Sequence, residues 1–148
     1  MKKVLFVCLG NICRSPLAHG IALDLIEKNH LDIEVDSAGT SSWHVGENPC
    51  DRSIQVAKKH GIEISKQKAR QVQSKDFIYY DLIVALDQSN YNDLQKMGCR
   101  NLVKLRFYDG TNQDVPDPYF FKGFDGFEEV FMIIEKCVKN LFFDQLTK

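Results

Sequence analysis

"VLFVCLGNICRSPLAHG", residues 4–20, decides the fold of this chain. Its first five residues form a continuous apolar run rich in β-branched and aromatic side chains, which is typical of a parallel strand buried on both faces. From Leu17 onward, apolar residues return every four positions and predict one face of a helix. Gly10 and Asn11 stand between the two patterns, so the stretch predicts a strand, a tight loop and a helix.

The same alternation of strands and helices continues along the chain. Further strands are predicted at 33–39, 80–87 and 101–107, and further helices at about 51–60, 89–98 and 127–142. Ser89 or Asn90 is the candidate N-cap of the helix that stops at Gly98. Such an order favours right-handed βαβ units, in which helices cover both faces of a parallel sheet. We therefore predict an α/β fold over residues 1–148, a single-domain doubly wound four-stranded parallel sheet with helices on both faces.

Composition restricts the partners of the chain. The 148 residues have 44% hydrophobic content and a formal charge of −1, and the lysines and arginines are scattered. These values suit one globular domain and disfavour nucleic acid as a partner. No stretch approaches the ~20 apolar residues that span a bilayer, and Lys2–Lys3 with the short run behind them lack a signal-peptide cleavage pattern, so we expect no membrane association.

The five cysteines, Cys8, Cys13, Cys50, Cys99 and Cys137, predict a reducing compartment. Their number is odd, and they lack the paired C-x-x-C spacing of a zinc site. The four histidines show no metal spacing either, so no metal is assigned. We expect a cytoplasmic protein with free thiols.

The loop after the first strand has the composition of an anion site. Gly10 and Asn11 readily take positive φ and can turn successive backbone N–H groups inward. The helix behind them, with Ser15 as its predicted N-cap and Pro16 at its first position, adds unpaired N–H groups and the positive end of its dipole. Arg14 supplies a planar fork for two phosphate oxygens.

A cysteine in this positive field is expected to be a thiolate. Cys8, the loop and Arg14 together describe covalent phosphoryl transfer, with nucleophile and anion cradle in one segment. The alternative is a buried strand cysteine beside a solvated arginine. The pattern C-x5-R-S-P between strand and helix favours the functional interpretation, although a similar loop could bind an anion without reacting.

The segment "VCLGNICRSP" (7–16) resembles the phosphate-binding loop of the low-molecular-weight protein tyrosine phosphatases. Further segments resemble family landmarks in the family's order: "DSAGT" (36–40), "WHVG" (43–46), "ARQ" (69–71), "LDQSN" (86–90) and "PDPYF" (116–120). The resemblance covers nearly the whole chain. It implies hydrolysis of phosphotyrosine in proteins, and of small aryl phosphates, through a cysteinyl-phosphate intermediate and without a cofactor.

The resemblance assigns roles to individual residues. Cys8 would be the nucleophile, Arg14 the phosphate clamp and Asp117 the general acid, and Ser15 would donate a hydrogen bond to the thiolate. Phosphate would be bound by Leu9, Gly10, Asn11, Ile12, Cys13, Arg14 and Ser15. The prolines on either side of Asp117 stiffen its segment, although a plain turn is the alternative there.

The family pattern also implies cleft walls and a redox residue. Leu9, Ile12, Trp43, Tyr119 and Phe120 would form apolar and aromatic walls that suit a phosphophenyl ring, with packing in a core or loop as the alternative. Cys13 would trap oxidised Cys8 as a reversible disulfide, or else would only pack within the loop. Cys50, Cys99 and Cys137 have no evident partner and are predicted to be structural.

The chain departs from the family at two positions. Gln67 stands where relatives often have a histidine, two residues before "ARQ", that is associated with support of the loop asparagine, here Asn11. Glutamine can donate and accept a hydrogen bond but cannot become cationic. Phe120 stands where relatives often have a second tyrosine, which removes one potential phosphorylation site beside Tyr119.

The implied partners are phosphotyrosyl proteins, with a tyrosine kinase as a further candidate, and inorganic phosphate or similar oxyanions. Two other functions compete with the phosphatase. A thioredoxin-linked arsenate reductase would use a similar loop but needs further cysteines close together. A catalytically silent phosphotyrosine-binding module is disfavoured by the intact Cys8, Arg14 and Asp117.

Overall fold

The computed structural model describes residues 2–118 and 125–146. Four strands form one parallel sheet in the order β2-β1-β3-β4. They are β1 (Lys2–Cys8), β2 (Ile33–Gly39), β3 (Leu82–Ala85) and β4 (Leu102–Lys104). Strand β1 pairs on both sides, and packing on the two faces of the sheet buries its apolar run, with Val4–Val7 no more than 1% exposed. The predicted parallel sheet is confirmed, although β3 and β4 are shorter than predicted.

Among the described residues, five α-helices connect and cover the strands. They are α1 (Arg14–Asn29), α2 (Asp51–Lys59), α3 (Asp76–Tyr79), α4 (Gln88–Lys96) and α5 (Asp125–Asn140), which continues into a π-helical segment, Leu141–Leu146. The short helix α3 is absent from the prediction. None of the helices in the described part of the chain is long and apolar enough to cross a membrane.

The predicted fourth strand, 101–107, is wrong in its second half, where Leu105–Asp109 forms a 3-10 helix. The ladder with β3 ends at Lys104, opposite Ala85. Beyond that point the chain is turned by the Asp109 carboxylate, which accepts hydrogen bonds from Arg106 Nε at 2.8 Å and from the backbone N–H of Thr111 at 3.0 Å. These local hydrogen bonds stabilise a turn where the predicted strand would have continued.

Alternate residues of β1 point into two hydrophobic clusters, one on each face of the sheet. Val4 and Phe6 pack with α1 and α5, whereas Leu5 and Val7 pack with Leu94 of α4 and with the segment before β3. The predicted doubly wound arrangement is therefore confirmed. The loop after β1 leaves the sheet at its carboxyl edge, where ligands of such folds bind.

Two predicted helix caps are wrong. Helix α1 begins at Arg14 with Cys13 at its N-cap, so Ser15 lies inside the first turn. Pro16 is still in that turn, where its missing N–H has no helical acceptor. Helix α4 is capped by Asp87, whose side chain accepts from the Asn90 N–H at 2.8 Å, rather than by Ser89 or Asn90.

Gly20 marks the closest packing of α1 and provides a test of the fold. A Cβ at this position would overlap the Ile64 Cγ2 methyl and would lie 3.2 Å from Ile62 Cγ2. Alanine normally stabilises a helix by about 1 kcal/mol relative to glycine. Here we expect Gly20→Ala to lower the free energy of unfolding by about 1–3 kcal/mol because of the overlap, as measured by urea denaturation.

The double variant Gly20→Ala/Ile64→Ala is the control, because it removes the obstructing methyl. Its loss of stability should be smaller than the sum of the two single losses. If the loss of stability in the double variant equals the sum of the two single losses, the overlap with Ile64 does not cause the destabilisation by Gly20→Ala.

Candidate active site

The loop formed by residues 8–14, hereafter the 8–14 loop, connects β1 to α1. Asn11 takes φ 57°, in the left-handed region, and its backbone N–H donates to Cys8 Sγ at 3.3 Å. Gly10, which was expected to share this conformation, does not have a positive φ. It leaves room for a neighbouring ring instead, since a Cβ there would lie 2.9 Å from His44 Cδ2.

Four carbonyl groups of the 8–14 loop accept hydrogen bonds from outside the loop. The pairs are Thr40 N to Cys8 O (2.9 Å), Ser41 N to Leu9 O (3.0 Å), Cys50 N to Ile12 O (2.8 Å) and Ser53 Oγ to Cys13 O (3.2 Å). In a trans peptide the carbonyl and the next N–H point in opposite directions. The N–H groups that follow these carbonyls are therefore directed to the inside of the loop, an arrangement that can bind an anion.

The end of β2 approaches this loop very closely at Gly39. A Cβ at Gly39 would lie 2.7 Å from Leu9 O and 3.1 Å from the Asn11 nitrogen. Only glycine permits this approach without displacing the backbone of the loop. Strand β2 thus supports the 8–14 loop directly.

The Asn11 side chain, in a residue that is 2% exposed, joins the loop to three neighbours. Its Nδ2 donates to Ser15 Oγ at 2.8 Å and to Ser37 Oγ at 3.0 Å, and its Oδ1 accepts from the Arg70 N–H at 3.0 Å. Ser15 Oγ lies 3.0 Å from Cys8 Sγ. Because the Ser15 oxygen already accepts from Asn11, its hydroxyl hydrogen is left for the sulfur.

Gln67 does not contact Asn11 through any hydrogen bond found among the described residues. Its Nε2 donates to Pro16 O at 3.2 Å, and its side chain lies beside the imidazole of His19. His19 Nδ1 is in turn 3.3 Å from Ser37 Oγ. The glutamine is therefore connected to Asn11 only indirectly, through His19 and Ser37, and the backbone of Arg70 supplies direct support that no sequence signal indicates.

Arg14 is oriented by two acceptors. Its Nη1 donates to Asp87 Oδ2 at 2.9 Å and to Val115 O at 2.9 Å. Within residues 2–118 and 125–146, both contacts use the same nitrogen, so Nε and Nη2 can address two oxygens of an anion. Asp87 uses its second oxygen to cap α4. This cap holds the carboxylate in place, and the carboxylate in turn orients Arg14.

A cavity of about 220 Å³ brings the predicted catalytic residues together. Cys8, Arg14 and Asp117 all line it, and Asp117 is half-buried there. The predicted wall residues Leu9, Ile12 and Trp43 line it as well, and so do Gly10, Cys13, His44 and Pro118. Trp43 is 74% exposed and stands at the rim.

Some sequence predictions fall elsewhere. Tyr119 and Phe120, two of the predicted wall residues, lie outside the described residues. His44 and Pro118 were missed because the sequence pattern was used to test His44 only for metal spacing and to interpret Pro118 only as a residue that stiffens the segment of Asp117. Within residues 2–118 and 125–146, no group of three or more His, Cys, Asp or Glu side chains is arranged to hold a metal ion.

The expectation that Cys50 has no partner is wrong. Cys13 Sγ and Cys50 Sγ lie 2.7 Å apart, across a separation of 37 residues that gives no indication of the contact. Cys99 and Cys137 are buried, as expected of structural cysteines. Burial raises the pKa of Cys99 to about 11 and that of Cys137 to about 12, so both remain protonated thiols near neutral pH.

Residues 3–148 match the family described as "Low molecular weight phosphotyrosine protein phosphatase". The chain is 41% identical over 149 residues to a low molecular weight protein-tyrosine-phosphatase of Bacillus subtilis, with 95% of this chain and 94% of that protein covered. It is similar to a solved protein tyrosine phosphatase from Entamoeba histolytica, with a TM-score of 0.89, 38% identity and coverage of 97% and 94%. A solved Drosophila arginine phosphatase has a TM-score of 0.91, 35% identity and coverage of 100% and 99%.

The lowered pKa of His19 predicts how the free energy of unfolding depends on pH. Burial lowers the pKa of His19 more than the neighbouring Asp36 carboxylate and the Gln67 side chain raise it. The unfolded chain, in which the pKa is about 6.5, therefore binds the proton more readily than the folded chain. The free energy of unfolding should fall as the pH drops below about 6.5, by at most about 1.4 kcal/mol per pH unit from this group.

Chemical denaturation between pH 8 and pH 5 measures the effect. His19→Gln should flatten the fall relative to wild type, whereas His30→Asn, at an exposed position, should leave it unchanged. Identical profiles for wild type and His19→Gln would contradict the assignment.

Proposed function

The chain belongs to the low molecular weight phosphotyrosine protein phosphatase family, and on that premise we propose that Cys8, Arg14 and Asp117 perform its reaction. The enzyme is a protein-tyrosine-phosphatase, which hydrolyses phosphotyrosine in proteins. The observation that carries the assignment of residues is the single cavity lined by all three side chains. We further propose that residues 1–148 act as one phosphatase domain.

The 8–14 loop binds the phosphate in this proposal. Its inward N–H groups surround the equatorial oxygens, and Arg14 contacts two of them with Nε and Nη2. The positive end of α1 adds to the attraction. These groups stabilise the charge that spreads over the phosphoryl oxygens in the transition state, and none of them has to reorganise during the reaction.

The first chemical step transfers the phosphoryl group to Cys8. The Cys8 thiolate attacks phosphorus while the bond to the tyrosine oxygen breaks, and Asp117 gives its proton to that oxygen. Ser15 donates its hydroxyl hydrogen to the sulfur and keeps the thiolate in line with the phosphorus atom. The 3.0 Å distance between Ser15 Oγ and Cys8 Sγ supports this role. The products are free tyrosine side chain and phosphocysteine.

The second step returns the enzyme to its starting state. The Asp117 carboxylate, now deprotonated, takes a proton from a water molecule that attacks the phosphocysteine. The S–P bond breaks, inorganic phosphate leaves and the Cys8 thiolate is restored. One carboxyl group thus serves as acid and then as base.

The walls of the cavity support an aryl substrate. Leu9 and Ile12 are apolar and Trp43 presents an aromatic ring at the rim, so a phenyl ring gains contact area there. A phosphoserine side chain is too short to fill the same walls, and a phosphoarginine would place a strongly polar group against them. We therefore propose phosphotyrosine rather than phosphoarginine as the substrate, although one solved neighbour is titled an arginine phosphatase.

The proposed partners follow from the same site. Phosphotyrosyl proteins are the substrates, the tyrosine kinases that make them are functional counterparts, and inorganic phosphate and similar oxyanions are ligands of the loop. The odd number of cysteines, five, does not suit a disulfide framework, which supports a reducing cytoplasm as the place of action.

Cys8→Ser tests the nucleophile. The substitution should abolish turnover of phosphotyrosine while it retains affinity for inorganic phosphate, because the loop N–H groups and Arg14 remain. Steady-state kinetics and calorimetric titration with phosphate measure the two properties. A chelator should leave wild-type activity unchanged; full activity in Cys8→Ser, or inhibition by the chelator, would contradict the mechanism.

Asp117→Asn tests the general acid through the leaving group. A tyrosine phenolate is a poor leaving group, since its conjugate acid has a pKa of ~10, so loss of the proton donor should slow phosphoenzyme formation by ~10²–10⁴-fold. Aryl phosphates with electron-poor leaving groups should be affected much less. Rapid-quench kinetics across a leaving-group series measures this dependence and should also reveal a slower second step.

Asp114→Asn is the matched control. Asp114 lies on the same segment as Asp117, and its exposed carboxylate forms an ion pair with Lys104. It should retain near-normal rates with every leaving group. An equal loss for all leaving groups in Asp117→Asn would mean that Asp117 positions the segment and that another group supplies the proton.

A further inference from the structure

The Cys13 and Cys50 sulfur atoms form a close pair beside the cavity. They lie 2.7 Å apart, and a disulfide bond is ~2.05 Å long, so a bond requires an approach of less than about 1 Å. We propose that Cys13 and Cys50 are a redox dithiol, which a peroxide oxidises to a disulfide and which thereby withholds Cys13 from Cys8. The second half of this proposal rests on the proposed role of Cys8 as nucleophile.

The backbone holds the two cysteines together independently of their sulfur atoms. The Cys50 N–H donates to Ile12 O at 2.8 Å, and Ser53 Oγ donates to Cys13 O at 3.2 Å. The two peptide groups that flank the Cys13 Cα atom are thus both hydrogen-bonded to the segment that carries Cys50. The pair is preorganised, so little conformational entropy is lost when the bond forms.

The environment of the pair is suited to thiol oxidation. Cys13 is the N-cap residue of α1 and Cys50 the N-cap residue of α2, so each cysteine lies next to the positive end of a helix dipole. Both residues are partly exposed, and Cys13 lines the cavity, which gives a small oxidant access. Cys99 and Cys137 are buried, and burial raises the pKa of each, so they lack both properties.

The oxidation proceeds in two balanced steps. Hydrogen peroxide oxidises one thiol of the pair to a sulfenic acid and is itself reduced to one water molecule. The second sulfur attacks the sulfenic sulfur, the S–S bond forms and the sulfenic oxygen leaves as a second water molecule. The pair loses two electrons and two protons in total, and a thiol reductant reverses the change.

The disulfide has a consequence for Cys8. Cys13 was predicted from the family resemblance to rescue oxidised Cys8, but one sulfur atom cannot form both bonds. Once Cys13 is joined to Cys50, a sulfenic acid on Cys8 has lost that partner and is open to further, irreversible oxidation. Cys50 therefore competes with Cys8 for Cys13 and limits how much oxidised enzyme can be recovered.

Peptide mapping tests the pairing. The full-length enzyme is treated with dilute hydrogen peroxide, blocked with an alkylating agent and digested with trypsin without reduction. Cleavage after Lys3, Arg14, Lys28 and Arg52 places Cys8 and Cys13 in peptide 4–14 and Cys50 in peptide 29–52. A Cys13–Cys50 bond links these two peptides, whereas a Cys8–Cys13 bond leaves peptide 4–14 unlinked and lighter by two hydrogen atoms.

The variants separate the possible pairs. The linked peptides should persist in Cys8→Ser and in the control Cys99→Ala, and should be lost in Cys13→Ser and Cys50→Ser. In Cys50→Ser the freed Cys13 should pair with Cys8 instead. Wild-type enzyme that yields only the lighter peptide 4–14, or linked peptides that persist in Cys13→Ser, would overturn the proposal.

Recovery of activity provides a second readout. After peroxide treatment and addition of a thiol reductant, Cys50→Ser should regain a larger fraction of its activity than wild type, and Cys99→Ala should match wild type. Untreated Cys50→Ser should turn over aryl phosphate at the wild-type rate. Equal recovery of activity in wild type and Cys50→Ser would show that Cys50 does not compete with Cys8 for Cys13. Because peptide mapping requires no turnover, it tests the Cys13–Cys50 disulfide independently of the catalytic role of Cys8.

Discussion

The site depends on hydrogen bonds that hold the carbonyl groups of the 8–14 loop from outside. Residues 40, 41, 50 and 53 supply the donors, and every carbonyl held outward sends the next N–H inward. An inward row of N–H groups without an anion is a concentration of positive partial charge, which a free loop would relieve by rotating its peptides. The free energy needed to hold the N–H groups inward is therefore supplied during folding, and ligand binding does not have to supply it.

Several side chains near the loop hold two elements at once. Asn11 connects the loop to Ser15 and Ser37, and Asp87 both caps α4 and orients Arg14. A buried polar group of this kind is stable only when its donors and acceptors are satisfied, and here the partners come from α1, β2, α4 and two connecting segments. The geometry of the site is thus coupled to the packing of the whole sheet.

Much of this could be predicted from the sequence, because the strand pattern of residues 4–8 and the C-x5-R spacing are local signals. The parallel sheet, the 8–14 loop and the gathering of Cys8, Arg14 and Asp117 follow from such signals or from the family resemblance. The cap of α1 could not be predicted, since Ser15 is used by Cys8 and Asn11, which only the tertiary structure brings to it. The backbone support from Arg70 and the Cys13–Cys50 contact have no local signature, because each joins residues far apart in the chain.

The contact between Arg14 and Val115 spans 101 residues, and this separation bears on how the enzyme matures. Long-range contacts form late in folding because the loop between them must close first. During synthesis the thiol of Cys8 emerges early, whereas the acceptors that orient the arginine emerge only after most of the chain. A nascent or partly folded chain therefore has residue 14 without the acceptors that orient its guanidinium group, and this orientation is complete only when contacts between distant parts of the chain have formed.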